Sequence, residues 1–146
     1  MVEVTANGRS SAPPERVWAV LADKDHWSDW SMFDSVDVER PGDPAPHGRG
    51  AIHEYATGKF RTREEVLAFE PPGHYAYALL SGIRGLKNYR ADVTLTAAGD
   101  GTAIEWRSRF DVFALLAPVA RRRVHQIIQR MVDDLARAAS TGSRAP

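Results

Sequence analysis

A chain of 146 residues is sized for one domain around one core, and 43% hydrophobic with 26% charged residues is the balance of a globular fold, not of a disordered or membrane-embedded chain. Lysine plus arginine equals aspartate plus glutamate, 19 each, so no global field draws the chain to nucleic acid and no such partner is expected. The absence of cysteine excludes disulfides, thiol nucleophiles and thiolate metal sites. MVEVTANGRS has no apolar leader and no apolar run approaches the roughly 20 residues of a membrane span, so a cytoplasmic protein with no membrane span is expected.

In chain order, Val2, Val4 and Ala6 alternate with Glu3, Thr5 and Asn7, which predicts a first strand ending near Ser10. SAPPERVWAVLAD predicts a helix. Pro13 and Pro14 suit a first turn, Glu15 meets the positive end of the helix dipole, and Val17, Val20 and Leu21 form an apolar face. Asp23 or Asp25 is placed to cap a second short helix carrying His26, Trp27 and Trp30. Strands follow at Val36–Val38, AIHEYAT, FRTREEVLAF, HYAYALL, NYRADVTLTA and TAIEWRSRF, separated by turn-forming stretches such as RPGDPAPHGRG, EPPG and AAGDG. The last two alternate cleanly between an apolar and a charged face, as in an antiparallel sheet covered on one side. The cover is predicted to be one helix from Leu116 to Ala138, with an apolar stripe of Leu116, Ala120, Val124, Ile127, Met131, Leu135 and Ala138. Residues 1–140 are read as one domain and 141–146 as a frayed tail.

A curved antiparallel sheet gripping a long helix often encloses a cavity. In this order of elements, SAPPERVWAVLADKDHWSDW, EEVLAFEPPGHYAYAL, YRADVTLTAAGDGTAIEWRSRF and the basic C-terminal helix resemble the polyketide cyclase/dehydrase branch of the START-like, or Bet v 1-like, superfamily. The resemblance covers nearly the whole chain. It implies an α+β helix-grip fold with six or seven strands. It also implies an inward face shared by Glu64, Val66 and Ala68, with Glu64 where relatives often keep a glutamate.

The chain has no G-x-S-x-G, no phosphate-binding glycine loop and no H-E-x-x-H. The five histidines lack ligand spacing, so neither a metal nor a cofactor is expected. Candidate site residues therefore come from strand parity. Tyr75, Tyr77, Tyr89, Trp106 and Phe110 fall on one concave face, Tyr55 and His53 share a parity on the preceding strand, and Trp27 is placed to floor or rim a pocket. Trp18 and Trp30 read as core. Glu64, a carboxylate in an apolar hole, is the first candidate for polar ligand recognition or acid–base work, with His53 as its partner if the protein is an enzyme. The glycines of SGIRGLK suit either a turn or a lid.

Three functions are compatible with these residues. The first is binding of a hydrophobic small molecule, a lipid, polyketide or aromatic, through Trp27, Tyr55, Glu64, Tyr75, Tyr77, Tyr89 and Trp106. The second, which the resemblance implies, is a cyclase, aromatase or dehydratase. The third is a regulatory or toxin–antitoxin-like interaction protein, for which ARRRVHQIIQR is the one feature. Monomer and homodimer are both left open.

Overall fold

The computed structural model describes residues 1–142, with side chains described through residue 140. Its strands are β1 (Val2–Ser10), β2 (Ser35–Arg40), β3 (Ile52–Thr57), β4 (Phe60–Glu70), β5 (His74–Ser81), β6 (Lys87–Ala98) and β7 (Gly101–Asp111). They form one antiparallel sheet in the order β1-β7-β6-β5-β4-β3-β2. Helix α1 (Pro14–Ala22) and a 3₁₀ turn (Lys24–Asp29) lie between β1 and β2, and a 3₁₀ turn (Ala114–Leu116) leads into helix α2 (Ala117–Gly142).

Local chemistry explains the short helices. Pro13 stands just outside α1 in an extended conformation and Pro14 opens it, where a missing N–H leaves no bond unmade. Val17, Trp18 and Leu21 are its buried face, and Trp18 meets Phe69 edge-on with ring centroids 5.1 Å apart. The expected aspartate cap of the second helix is not made. Asp23 occupies the position, but its carboxylate bonds His26 Nδ1 at 2.7 Å instead.

The sheet buries one face. Val4 and Ala6 on β1, Ile104, Trp106 and Phe110 on β7, and Ala91, Val93 and Leu95 on β6 point to the concave side. The other side carries charged pairs such as Arg63–Glu39 and Arg90–Asp92. The shared inward face expected for Glu64, Val66 and Ala68 needs correction. A register shift between Val66 and Ala68 resets the alternation, so Phe69, paired with Tyr75, faces inward in place of Ala68.

Helix α2 is continuous, beginning at Ala117 after the 3₁₀ turn and not at Leu116. The tail expected to fray from 141 starts as helix through Gly142, and 143–146 lie outside the described residues. The buried stripe is Val124, Ile128, Met131, Val132, Leu135 and Ala139. Ile127 and Leu116, expected in it, are 43% and 51% exposed. The reason is where the helix rests. It packs on β1 and β7 and stands away from β3–β6, so its first turns overhang a gap.

Close approach of α2 to β1 depends on Gly8. A Cβ there would collide with Val132 Cγ1, a β-branched side chain with little rotamer freedom in a helix. We expect Gly8→Ala to destabilise the fold by about 1–3 kcal/mol in urea denaturation. Val132→Ala in the same chain should recover part of that loss, and simple additivity of the two changes would contradict this packing.

Candidate ligand cavity

The gap beneath the first turns of α2 is a cavity of about 540 Å³. Its inner wall comes from Trp27 on the 3₁₀ turn, Tyr55 on β3, Glu64 on β4, Tyr77 on β5, Tyr89 on β6 and Trp106 on β7. Its mouth lies between the β5–β6 loop and α2, where the lining residues Phe60, Ile83, Leu116 and Val119 are exposed. Volume and apolar walls are those of a small-molecule site.

Polar groups on the wall are few. Trp106 Nε1 donates to the Tyr77 hydroxyl at 3.2 Å, the Tyr89 hydroxyl pairs with Ser108 Oγ at 2.7 Å, and Trp27 Nε1 donates to the Leu21 carbonyl at 3.0 Å. These bonds fix the rings. The Tyr55 and Tyr75 hydroxyls are buried and face each other without completing a hydrogen bond of good geometry. Burial raises the pKa of all four tyrosines, Tyr89 to about 12, so they remain phenols at neutral pH.

Glu64 projects from β4 into this cavity. Burial lifts its pKa to about 7; the Lys24 charge pulls it back, as does the Tyr55 hydroxyl, which approaches without completing a bond of good geometry. Lys24 lies behind the wall, 2% exposed, with Nζ 3.5 Å from the Trp27 ring centroid and 4.4 Å from that of Tyr75. Burial drives the lysine pKa well down, against the pull of Glu64. Lys24 Nζ is surrounded by aromatic faces, and no ion pair among the described residues includes it.

Two of the expected residues sit elsewhere. Tyr75 has the inward parity but does not reach the cavity wall, because its strand position places it deeper, under Lys24. His53 is opposite Glu64 in the β3–β4 register yet fully buried and off the wall, engaged by His47. His47 Nδ1 is 2.9 Å from His53 Nε2, and His47 Nε2 is 3.2 Å from Asp25 Oδ1. The carboxylate favours a proton on His47 Nε2 by its charge, without completing a hydrogen bond of good geometry. His47 Nδ1 then accepts from His53 Nε2–H, leaving His53 Nδ1 as a bare, buried acceptor without a partner. Burial, then repulsion from Lys24 and from any proton added to His47, bring the His53 pKa to about 3. We therefore expect nitrogen NMR to show His53 as one unchanging Nε2–H tautomer from pH 5 to 8. His26 and His74, raised by Asp23 and by Asp92 with Glu70, should titrate above the ordinary 6.5. Titration of His53 in that window would overturn the placement of protons.

Lys24, His47, Arg84 and Arg123 were missed by the sequence reading. DKD reads as a solvated triplet, and nothing local marks its lysine as buried. His47 lies six residues from His53 across a proline-rich loop, a spacing that belongs to no ligand motif. Trp18 is core as expected, whereas Trp30 is only partly buried, against Trp27.

An antiparallel sheet wrapped on a long helix, with an aromatic cavity between them, defines a helix-grip protein. The chain belongs to the polyketide cyclase/dehydrase and lipid transport family, whose sequence model matches residues 1–140. Among curated proteins, none matches the sequence. Solved structures give the same fold. Ara h 8.0201 is 16% identical over 96% of this chain and 98% of that one, with a TM-score of 0.80. A point mutant of Thalictrum flavum norcoclaurine synthase, bound to a transition-state analogue, is 15% identical over 97% and 96%, TM-score 0.78. A START superfamily protein from Mycobacterium smegmatis is 10% identical over 95% and 97%, TM-score 0.79. At these identities the likeness concerns the fold alone.

Proposed function

We propose that this protein binds a hydrophobic small molecule in the cavity between α2 and β3–β7, with Glu64 as the polar contact deep inside. The observation that carries this reading is the cavity of about 540 Å³, walled by aromatic rings around a single carboxyl group. Family membership supports it, since the family is described by cyclase/dehydrase chemistry and lipid transport. The apolar body of a ligand would supply most of the affinity by leaving water. Glu64, with a pKa near 7, can donate or accept a hydrogen bond at the inner end. No helix of the described residues is long and apolar enough to cross a membrane.

The same pKa favours a second reading, in which Glu64 is the acid–base group of a cyclase or dehydratase, because such groups work best near the ambient pH. His53, held off the wall by His47, would act only through its neighbours. Gentle purification followed by organic extraction and mass spectrometry should reveal a co-purifying apolar compound. With that compound, Glu64→Gln should weaken affinity measurably, by up to about tenfold, if the protein only binds. If Glu64 is catalytic, the rate should fall by roughly 10²–10⁴ with binding nearly intact. Unchanged affinity and rate would remove Glu64 from both readings.

A further inference from the structure

We propose that the ligand is an amphiphile with one anionic group, a carboxylate or a phosphate, gripped at the cavity mouth by Arg84 and Arg123 while its apolar body runs inward. This rests on the binding reading above and names its ligand class. Three charged side chains line the cavity: Glu64 deep inside, and Arg84 and Arg123 among the lining residues of the mouth. The two arginines come from opposite sides, one from the β5–β6 loop and one from α2. Neither has a carboxylate partner among the described ion pairs, so both are left to bind an anion. Ile83, Leu116 and Val119 line the same mouth, so an anion bound by the two arginines would have apolar surface beside it. Arginine's planar donor fork suits both carboxylate and phosphate.

The position of Arg84 is built into the backbone. Gly82 has φ +116°, a conformation that side chains rarely adopt, and a Cβ there would collide with the Arg61 carbonyl and lie 2.8 Å from Thr62 Cα. The loop is thus drawn tight onto β4, which sets Arg84 at the mouth. On the other side, Arg123 precedes the buried Val124 and shares the overhanging turns with Ala120 and Ile127. The inner end offers no competing cation on the wall. Glu64, close to half-protonated at neutral pH, would meet a hydroxyl or carbonyl of the ligand without repelling it.

The test is displacement of 1-aminoanthracene, an uncharged fluorescent probe, by dodecanoate, dodecyl phosphate, dodecanol and dodecylammonium, each below its micelle concentration. At least one anion should displace the probe at a concentration at least tenfold below that of dodecanol, with dodecylammonium weakest. The preference should shrink as salt is raised. Which anion is better distinguishes a carboxylate ligand from a phosphate one. In Arg84→Gln/Arg123→Gln the preference for anion over alcohol should fall to about twofold or less. Dodecanol matching both anions in the parent protein, or the double variant keeping the full preference, would overturn the proposal while leaving a hydrophobic binding site in place. Failure of the probe and all four compounds to bind would instead remove the binding reading, and this one with it.

Discussion

Above pH 7 the Glu64→Gln variant should be more stable than the parent protein, and at pH 5 most of that advantage should be gone. The folded carboxyl has its pKa raised from the ordinary 4.5 to about 7, chiefly by burial, with the attraction of Lys24 already contained in that value. Between those two pH values the folded state holds a proton that the unfolded state has released. Stability therefore falls as pH rises through that window, and the loss is complete just above pH 7. Its size is on the order of 3 kcal/mol at most, since the shift is about 2.5 units. Glutamine keeps the shape and cannot ionise, so it should escape the loss. Melting curves at pH 5 and pH 8 decide the point: a gap of several degrees should open at pH 8 and shrink to about a quarter of that at pH 5. A gap that is the same at both pH values would mean that Glu64 ionises as freely folded as unfolded.

Trp27→Ala should be the most damaging single change in the cavity wall. The ring is 3% exposed and touches Trp30, Phe33 and Tyr55, with centroids 5.1, 6.1 and 5.6 Å away. It also covers the Lys24 ε-nitrogen and donates to the Leu21 carbonyl. Losing a buried indole costs about 3–5 kcal/mol, against roughly 5–15 for a whole domain. Urea denaturation should show that loss. A second consequence separates this ring from any other core aromatic. With the indole gone, Lys24 gains access to the cavity, and its ε-amine should become open to reductive methylation in the folded protein. The chain has only Lys24, Lys59 and Lys87, so mass spectrometry can assign the site. Equal methylation of Lys24 in parent and variant would show that Trp27 does not shield it.

The fold was legible because its signals are periodic. Alternation over Tyr89–Leu95 and Thr102–Phe110 assigned the inward face of β6 and β7, and Pro13-Pro14 marked the start of α1. The misreadings arose where a period is interrupted or where an element is not fully covered. The register shift in β4 replaces Ala68 with Phe69 on the inward face, and no residue type announces it. Ile127 and Leu116 look like core because they are apolar and on the stripe; they are exposed because the helix overhangs a cavity there. A cavity is a deficit of volume, which composition does not record. The wall residues Tyr55, Tyr77, Tyr89 and Trp106 could be named from parity, and Glu64 from the family resemblance. Lys24 depends on contacts between the 3₁₀ turn and β3 and β5, distant in sequence, and the His47–His53 pair on the path of the β2–β3 loop, and neither carries a spacing rule.

The central claim is that the space under α2 is a ligand site, and filling it tests that claim most directly. Thr62 is a small side chain on the wall, and tryptophan there would occupy the volume without touching Glu64 chemically. In a fluorescence titration with 1-aminoanthracene, the parent protein should bind one probe per chain with saturation. Thr62→Trp, checked for an unchanged melting temperature, should lose at least tenfold in affinity. Equal saturable binding in both proteins, or none in the parent, would contradict the assignment of the cavity as the site of function.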